Sequence, residues 1–153
     1  MSAYRILDEP RPSGLNTIVV DPMWPLLATM MVGGGIGLAW LALNAWAVGS
    51  PTRIRESLIC LGGLVGFMTL FVLLASLDLE QATFRYAFIG VIVVKLAAAY
   101  WASSLQQQAV DLYDYFNGRK QNGLVVLMIG AFLLRPMIAA AAKDHGWLYL
   151  LVA

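Results

Sequence analysis

The chain has 153 residues, of which 60% are hydrophobic and 12% are charged. Soluble domains average about 25% charged residues, so this chain has too few polar groups to cover a surface that faces water. Ten Lys and Arg residues balance nine Asp and Glu residues, and the net charge of +1 excludes a dominant basic face for nucleic acid. High hydrophobicity also excludes intrinsic disorder. The composition predicts a small polytopic membrane protein.

The first predicted element is a polar, turn-rich tail over residues 1–22, and an uncharged apolar run over 24–48 follows it. A helix needs about 20 apolar residues to cross about 30 Å of hydrocarbon, so this run predicts the first transmembrane helix. Trp24 and Trp46 would lie roughly 33 Å apart along such a helix. One indole ring would then anchor the helix at each membrane interface. A cleaved signal peptide is disfavoured because its apolar region is usually shorter.

Three further apolar runs predict transmembrane helices at 57–77, 84–105 and 123–142. These runs are predicted to be helices because the backbone groups of a lipid-exposed segment must bond within that segment. Residues 146–153 are apolar but too few to span, so this stretch and its Trp147 predict an interfacial anchor. The predicted fold is all-α, with four transmembrane helices and short loops in one domain over 23–153.

The end of the third predicted helix is open to two interpretations. Apolar side chains continue at helical spacing to Phe116, and Asn117 and Gly118 then end the pattern. The helix either projects well beyond the bilayer or bends near Gln106 and lies along the lipid headgroups.

Orientation follows from the Lys and Arg residues of short loops, which favour the cytoplasmic face. The basic residues of the first and third connections are Arg53, Arg55, Arg119 and Lys120. Those predicted on the opposite face are Arg5, Arg11, Arg85 and Lys143. The two groups are equal in number, but the first group lies in tight connections. We therefore expect an integral protein of a bacterial cytoplasmic (inner) membrane with both termini outside.

Small residues recur four positions apart in three of the predicted helices. The pairs are Gly33 and Gly37, Gly62 and Gly66, and Ala98 and Ala102. Small residues on one helix face let backbones approach closely, which is how helices associate in lipid. The pattern predicts close helix packing, either within one chain or between chains.

Two cations lie inside the predicted spans. Lys95 lies roughly 16 Å deep in the third helix, where an ion costs at least about 2.5 kcal/mol. Arg135 lies nearer a helix end and precedes Pro136, which predicts a kink. The connection between the third and fourth helices is short, so we expect the two to be antiparallel neighbours with both cations at comparable depth. The predicted spans contain no Asp or Glu.

Three explanations remain for these two cations. Lys95 and Arg135 form a site for an anion or a lipid headgroup, or they snorkel towards the interface and bond carbonyls freed near Pro136. The third explanation is a carboxylate that a partner protein supplies.

Residues with catalytic or metal-binding chemistry are sparse. Cys60 is the single cysteine and is typical of a small buried hydrophobe, and His145 is a lone histidine in a polar segment. Asp111 and Asp114 share a helical face, which is more typical of a hydrated acid pair than of a catalytic one. No catalytic motif is present. We expect no metal, no cofactor and no enzymatic activity.

The favoured function is a non-catalytic subunit of a homo-oligomeric or hetero-oligomeric membrane complex. Its expected partners are membrane lipids and either further copies of itself or other membrane subunits, with no nucleic acid. One alternative is a small oligomeric channel or transporter with an anion or lipid-headgroup path near Lys95 and Arg135. The other is a lipid-acting membrane enzyme that uses Asp111 and Asp114.

Overall fold

The computed structural model describes residues 14–116, 118–143 and 149–152, and the regular structure of this part is helical apart from one isolated bridge. A π-helical segment, Gly130–Leu134, continues α5 directly into α6; the stretch 124–141 is called the last span below. The helices are α1 (Met23–Met31), α2 (Gly34–Ala47), α3 (Arg53–Ser76), α4 (Gln81–Tyr115), α5 (Leu124–Ile129), α6 (Arg135–Ala141) and α7 (Tyr149–Val152).

Three helical stretches of the described chain are long and apolar enough to cross a membrane. They are α3 with 24 residues, α4 with 35 and the last span with 18. The all-α class is confirmed, but the prediction of four spans is wrong. α4 is one continuous helix to Tyr115 and at about 1.5 Å per residue is longer than the bilayer core requires.

The first apolar run does not span because it folds into a helical hairpin. α1 ends at Met31, and Gly33 takes φ 145° and ψ 156°, a conformation that is essentially restricted to glycine. Beyond this break α2 returns along α1, so closely that a Cβ at Gly37 would collide with the backbone of Thr29. In one straight helix these two residues would be about 12 Å apart.

The lengths of α1 and α2 predict that the hairpin enters and leaves the membrane on one face. α1 has 9 residues and α2 has 14, which correspond to about 14 Å and about 21 Å at 1.5 Å per residue. Its break therefore lies roughly midway through a core of about 30 Å. Trp24 and Trp46 lie at the same end of the hairpin, so their predicted placement at opposite interfaces is wrong. Their role as interfacial anchors stays a prediction.

Buried amide groups hold the base of the hairpin together. The Asn44 Oδ1 atom accepts a hydrogen bond of 3.0 Å from the Val20 N–H, and Nδ2 donates one of 3.0 Å to the Val20 carbonyl. Nδ2 also donates to Gln106 Oε1 at 3.2 Å, and Gln106 Nε2 donates to the Leu41 carbonyl at 2.7 Å. Both side chains are buried. This network ties the start of α1 to the end of α2 and both of them to α4.

The hairpin also determines which of the spanning helices contact each other. α3 and α4 pack on each other, and the hairpin packs on both. The last span packs on α1, and in the described chain it has at most marginal contact with α4. The expectation that α4 and the last span are direct neighbours is therefore wrong, because α1 contacts both.

The short helix α7 lies against the break of the hairpin. A Cβ at Gly33 would lie 2.5 Å from the Leu151 carbonyl oxygen and from the Val152 Cα atom. The described part of the predicted interfacial anchor, 149–152, packs on α2 and α6. Its role as an anchor stays a prediction. His145 and Trp147 lie outside the described residues.

With a hairpin and three crossings, we expect residues 20 and 142 to lie on opposite faces of the membrane. The prediction that both termini lie outside depended on an even number of crossings and loses that basis. The connections beside the base of the hairpin carry Arg53, Arg55, Arg119 and Lys120. On the other face, the described chain has two basic residues near the ends of its helices, Arg85 and Lys143. The face with the base of the hairpin has four, so we expect that face to be cytoplasmic.

Thiol labelling distinguishes the hairpin from a spanning helix. In a Cys60→Ala background, Thr17→Cys and Ile54→Cys place single thiols at exposed positions on either side of the hairpin. Both should react with a membrane-impermeant reagent from the same face of a sealed vesicle, whereas Thr83→Cys, beyond α3, should react from the other face. Labelling of the two flanking positions from opposite faces would contradict the hairpin.

The amide network predicts a stability loss on removal of its central side chain. Asn44→Leu removes its hydrogen bonds and leaves buried partners unsatisfied, so we expect the free energy of unfolding in detergent to fall by about 1–3 kcal/mol. Denaturant unfolding measures this change. The matched control is Gln107→Leu, which removes a hydrogen bond to Asp111 at the surface and should cost less than about 0.5 kcal/mol. Equal losses for the two variants would contradict the structural role of the network.

Candidate functional site

A cavity of about 350 Å³ opens at the break of the hairpin. Its lining brings together residues from α1, the break, α4, the last span and α7. They are Met30, Gly33, Phe88, Ile92, Lys95, Leu96, Arg135 and Val152. Two of these eight residues are cations and none is an acid. The volume falls in the range of about 300–1,000 Å³ that is typical of small-molecule sites.

Lys95 reaches this cavity from the buried face of α4. Its side chain is 6% exposed and lies in the row of buried residues that faces the hairpin. The aliphatic part of the side chain lies on Gly34, where a Cβ would collide with the Lys95 Cδ atom. The ammonium group lies 5.3 Å from the centroid of the Phe67 ring, within reach of a cation–π interaction. The absence of a side chain at Gly34 is therefore what makes room for Lys95.

Arg135 reaches the cavity from the last span, where the helix is wound as a π-helix just before Pro136. A proline inside an α-helix lacks an N–H and clashes with the preceding turn, so the wider π segment relieves both problems. Arg135 Nη1 donates a hydrogen bond of 2.9 Å to the carbonyl of Met31, the last residue of α1. The guanidinium thus satisfies a helix-terminal carbonyl that would otherwise face lipid.

Three features add positive charge beside the cavity. Lys95 and Arg135 both line it, and α2 begins beside it at Gly34. The start of a helix carries partial positive charge and N–H groups that lack acceptors in their own helix. The structure therefore places the two predicted cations at one site, which was expected from their similar depths. That this site binds an anion or a lipid headgroup stays a prediction.

The predicted small-residue positions have different surroundings. Gly33 and Gly37 lie in the hairpin, against α7 and Thr29. Ala102 is fully buried in the core of the hairpin, α3 and α4.

On α3 the glycine in close contact is Gly63, where a Cβ would collide with Ala98. Gly62 and Gly66 have no described atom within 4 Å of the position of a Cβ. Packing at Gly62 and Gly66 stays a prediction.

The acid pair of α4 lies at the surface, on the face that carries the base of the hairpin. Gln107 Nε2 donates to Asp111 Oδ1 at 2.9 Å, and Lys120 Nζ forms an ion pair of 2.9 Å with Asp114 Oδ2. The hydrogen bond with Asp114 raises the pKa of Lys120. Within the described part of the chain, no three His, Cys, Asp or Glu side chains cluster as metal ligands. Cys60 is buried in the core.

Sequence reasoning missed Glu56, which directly precedes the second apolar run. The structure buries it completely in the first turn of α3, where it accepts hydrogen bonds from the hydroxyl groups of buried Ser50 and exposed Thr52. An acid at a helix start with nearby hydroxyl residues was the available signal.

Comparison of the chain with protein-family models, with curated proteins and with solved structures finds no match. Functional conclusions therefore depend on the chemistry of the site.

Proposed function

We propose that the chain is a small integral membrane protein that binds an anionic group in the cavity at the break of its hairpin. The ligand is a small anion or the headgroup of an anionic lipid, and the role is that of a channel or transporter component. The observation that carries this proposal is the convergence of Lys95 and Arg135 at the start of α2, inside an apolar protein.

Broken helices support such a role on physical grounds. In many transporters, discontinuous helices meet near the bilayer midplane and direct their N-terminal ends at anionic groups of the substrate. Cations at that depth are costly and are commonly retained for binding or transport. The hairpin has both features, because its helix is broken at Gly33 and the cation Lys95 lies close to that break.

The surroundings of the cavity also offer a route to it. Met30 on its rim is 60% exposed and Arg135 is exposed, whereas Lys95 is buried. The described parts of α4 and the last span have at most marginal contact. We expect the gap between these two helices to face the lipid, which would give access to a lipid headgroup as well as to a small ion.

Flux through liposomes tests the proposal. Liposomes that contain the protein should release chloride faster than empty ones, and Lys95→Met should reduce that flux at least tenfold. Lys143→Met, an exposed cation beyond the last span, is the matched control and should leave the flux unchanged. Equal flux in wild type and Lys95→Met would remove Lys95 from the path.

A headgroup ligand needs a second measurement. Phosphatidylglycerol should raise the melting temperature of the protein in detergent because a ligand that binds the folded state stabilises it. Phosphatidylcholine should not do so, and Arg135→Met should lose the effect of phosphatidylglycerol. Wild-type protein with neither chloride flux nor stabilisation by the anionic lipid would end the proposal.

The role as a non-catalytic subunit of an oligomer remains the second candidate. The observation that favours it is the outward position of Gly62 and Gly66 on α3, where the chain itself offers no packing partner among the described residues. Paired small residues of this spacing let two helices approach closely in lipid. A second copy or another membrane subunit would fit this face. No catalytic role is proposed for Asp111 and Asp114.

Bulky substitutions test the subunit role. Gly62→Ile and Gly66→Ile together should abolish a crosslinked dimer in mild detergent, because a branched side chain separates the two backbones. Gly90→Ile on α4, which also has open space around it, is the matched control and should leave the dimer intact. Migration of the wild-type protein as a monomer, with no crosslinked partner in membranes, would contradict this role.

A further inference from the structure

Glu56 is a buried acid that the anion cavity does not use. Its exposed fraction is 0%, and its Oε2 atom has no hydrogen-bond partner among the described residues. Arg53, the first residue of α3, lies over the Trp46 ring instead, 4.4 Å from its centroid. Between described residues, ion pairing joins Lys120 to Asp114 and leaves Glu56 without a basic partner.

The other carboxylate oxygen, Oε1, accepts hydrogen bonds from two hydroxyl groups. Ser50 Oγ donates to Glu56 Oε1 at 2.5 Å, and Thr52 Oγ1 donates to the same atom at 2.6 Å. The two hydroxyl oxygens lie 3.2 Å apart. Glu56 and Ser50 are buried, whereas Thr52 is exposed. The arrangement is a group of oxygen atoms that extends from a buried carboxyl group to the surface.

A buried charge is costly unless an opposite charge or a full set of hydrogen bonds compensates it. The first turn of α3 supplies partial positive charge to Glu56, but it leaves Oε2 unbonded. The C-terminal end of α2, at Ala47, precedes this group by three residues and adds partial negative charge. The Oε2 atom has no hydrogen-bond partner among the described residues, and the end of α2 adds negative charge. Both features therefore favour a positively charged ligand.

We infer that Glu56, Ser50 and Thr52 bind an alkali cation at the membrane face where α2 ends. Hard cations prefer oxygen ligands, and a single carboxylate matches a single positive charge. Cys60, one turn along α3, is the described titratable group that interacts electrostatically with Glu56. The site lies at the opposite end of α2 from the anion cavity and does not depend on it.

Thermal unfolding of the purified protein in detergent tests the site. Sodium, potassium and choline chloride are compared at equal chloride concentration, so that any anion effect stays constant. The melting temperature should rise with the alkali ion along a saturation curve and not with choline. Glu56→Gln should weaken the apparent alkali affinity at least tenfold. Glu80→Gln, an exposed acid at the other face, should retain it.

Ser50→Ala, which removes one hydroxyl and keeps the acid, takes the place of Glu56→Gln in this comparison if Glu56→Gln does not fold. A melting temperature that responds to alkali ions in the same way in wild type, Glu56→Gln and Ser50→Ala would overturn the inference, and so would a wild-type protein with no alkali response.

Discussion

A helix that ends halfway through a bilayer leaves backbone carbonyls and N–H groups where no water can bond them. The break at Gly33 imposes this constraint, and the arrangement around it satisfies it. Arg135 donates to the carbonyl at the end of α1, Lys95 lies along Gly34, and α7 covers Gly33 itself. Parts of the chain that are distant in sequence converge here because the break needs polar partners and closely fitting neighbours. The cation pair is thus part of the solution to a structural problem, and its positive charge is what makes an anion site physically reasonable.

The base of the hairpin is held by neutral groups. Asn44 and Gln106 bond each other and the backbone of Val20, just before α1, and of Leu41 in α2, over distances of 2.7–3.2 Å. A buried amide network that is satisfied in this way fixes one arrangement of its partners. The hairpin is therefore anchored to α4 at its base. Positioning of the break, and with it of Lys95, follows from this anchoring.

The two proposed binding sites lie at the two ends of α2 and follow the sign of its dipole. The cavity that would take an anion adjoins the positive start of the helix at Gly34, and Glu56 lies beyond its negative end. Broken helices in transporters use their ends for ions of opposite sign in the same way. Here one helix of 14 residues would carry both sites. The arrangement needs few residues outside the membrane, which suits a chain of 153 residues.

By itself the sequence determined the helical class and three of the spans, because long uncharged runs in lipid have few alternatives to helix. It also singled out Lys95 and Arg135, since a charge inside an apolar run is visible without any structure. Hydropathy could not distinguish a spanning helix from a hairpin over 24–48, because both keep the same side chains in an apolar environment. Only tertiary contacts decided this, through the bare backbone of Gly37 against Thr29 and the bonds of Asn44. Glu56 was hidden for the same reason, since burial of an acid at a helix start depends on which elements fold over it.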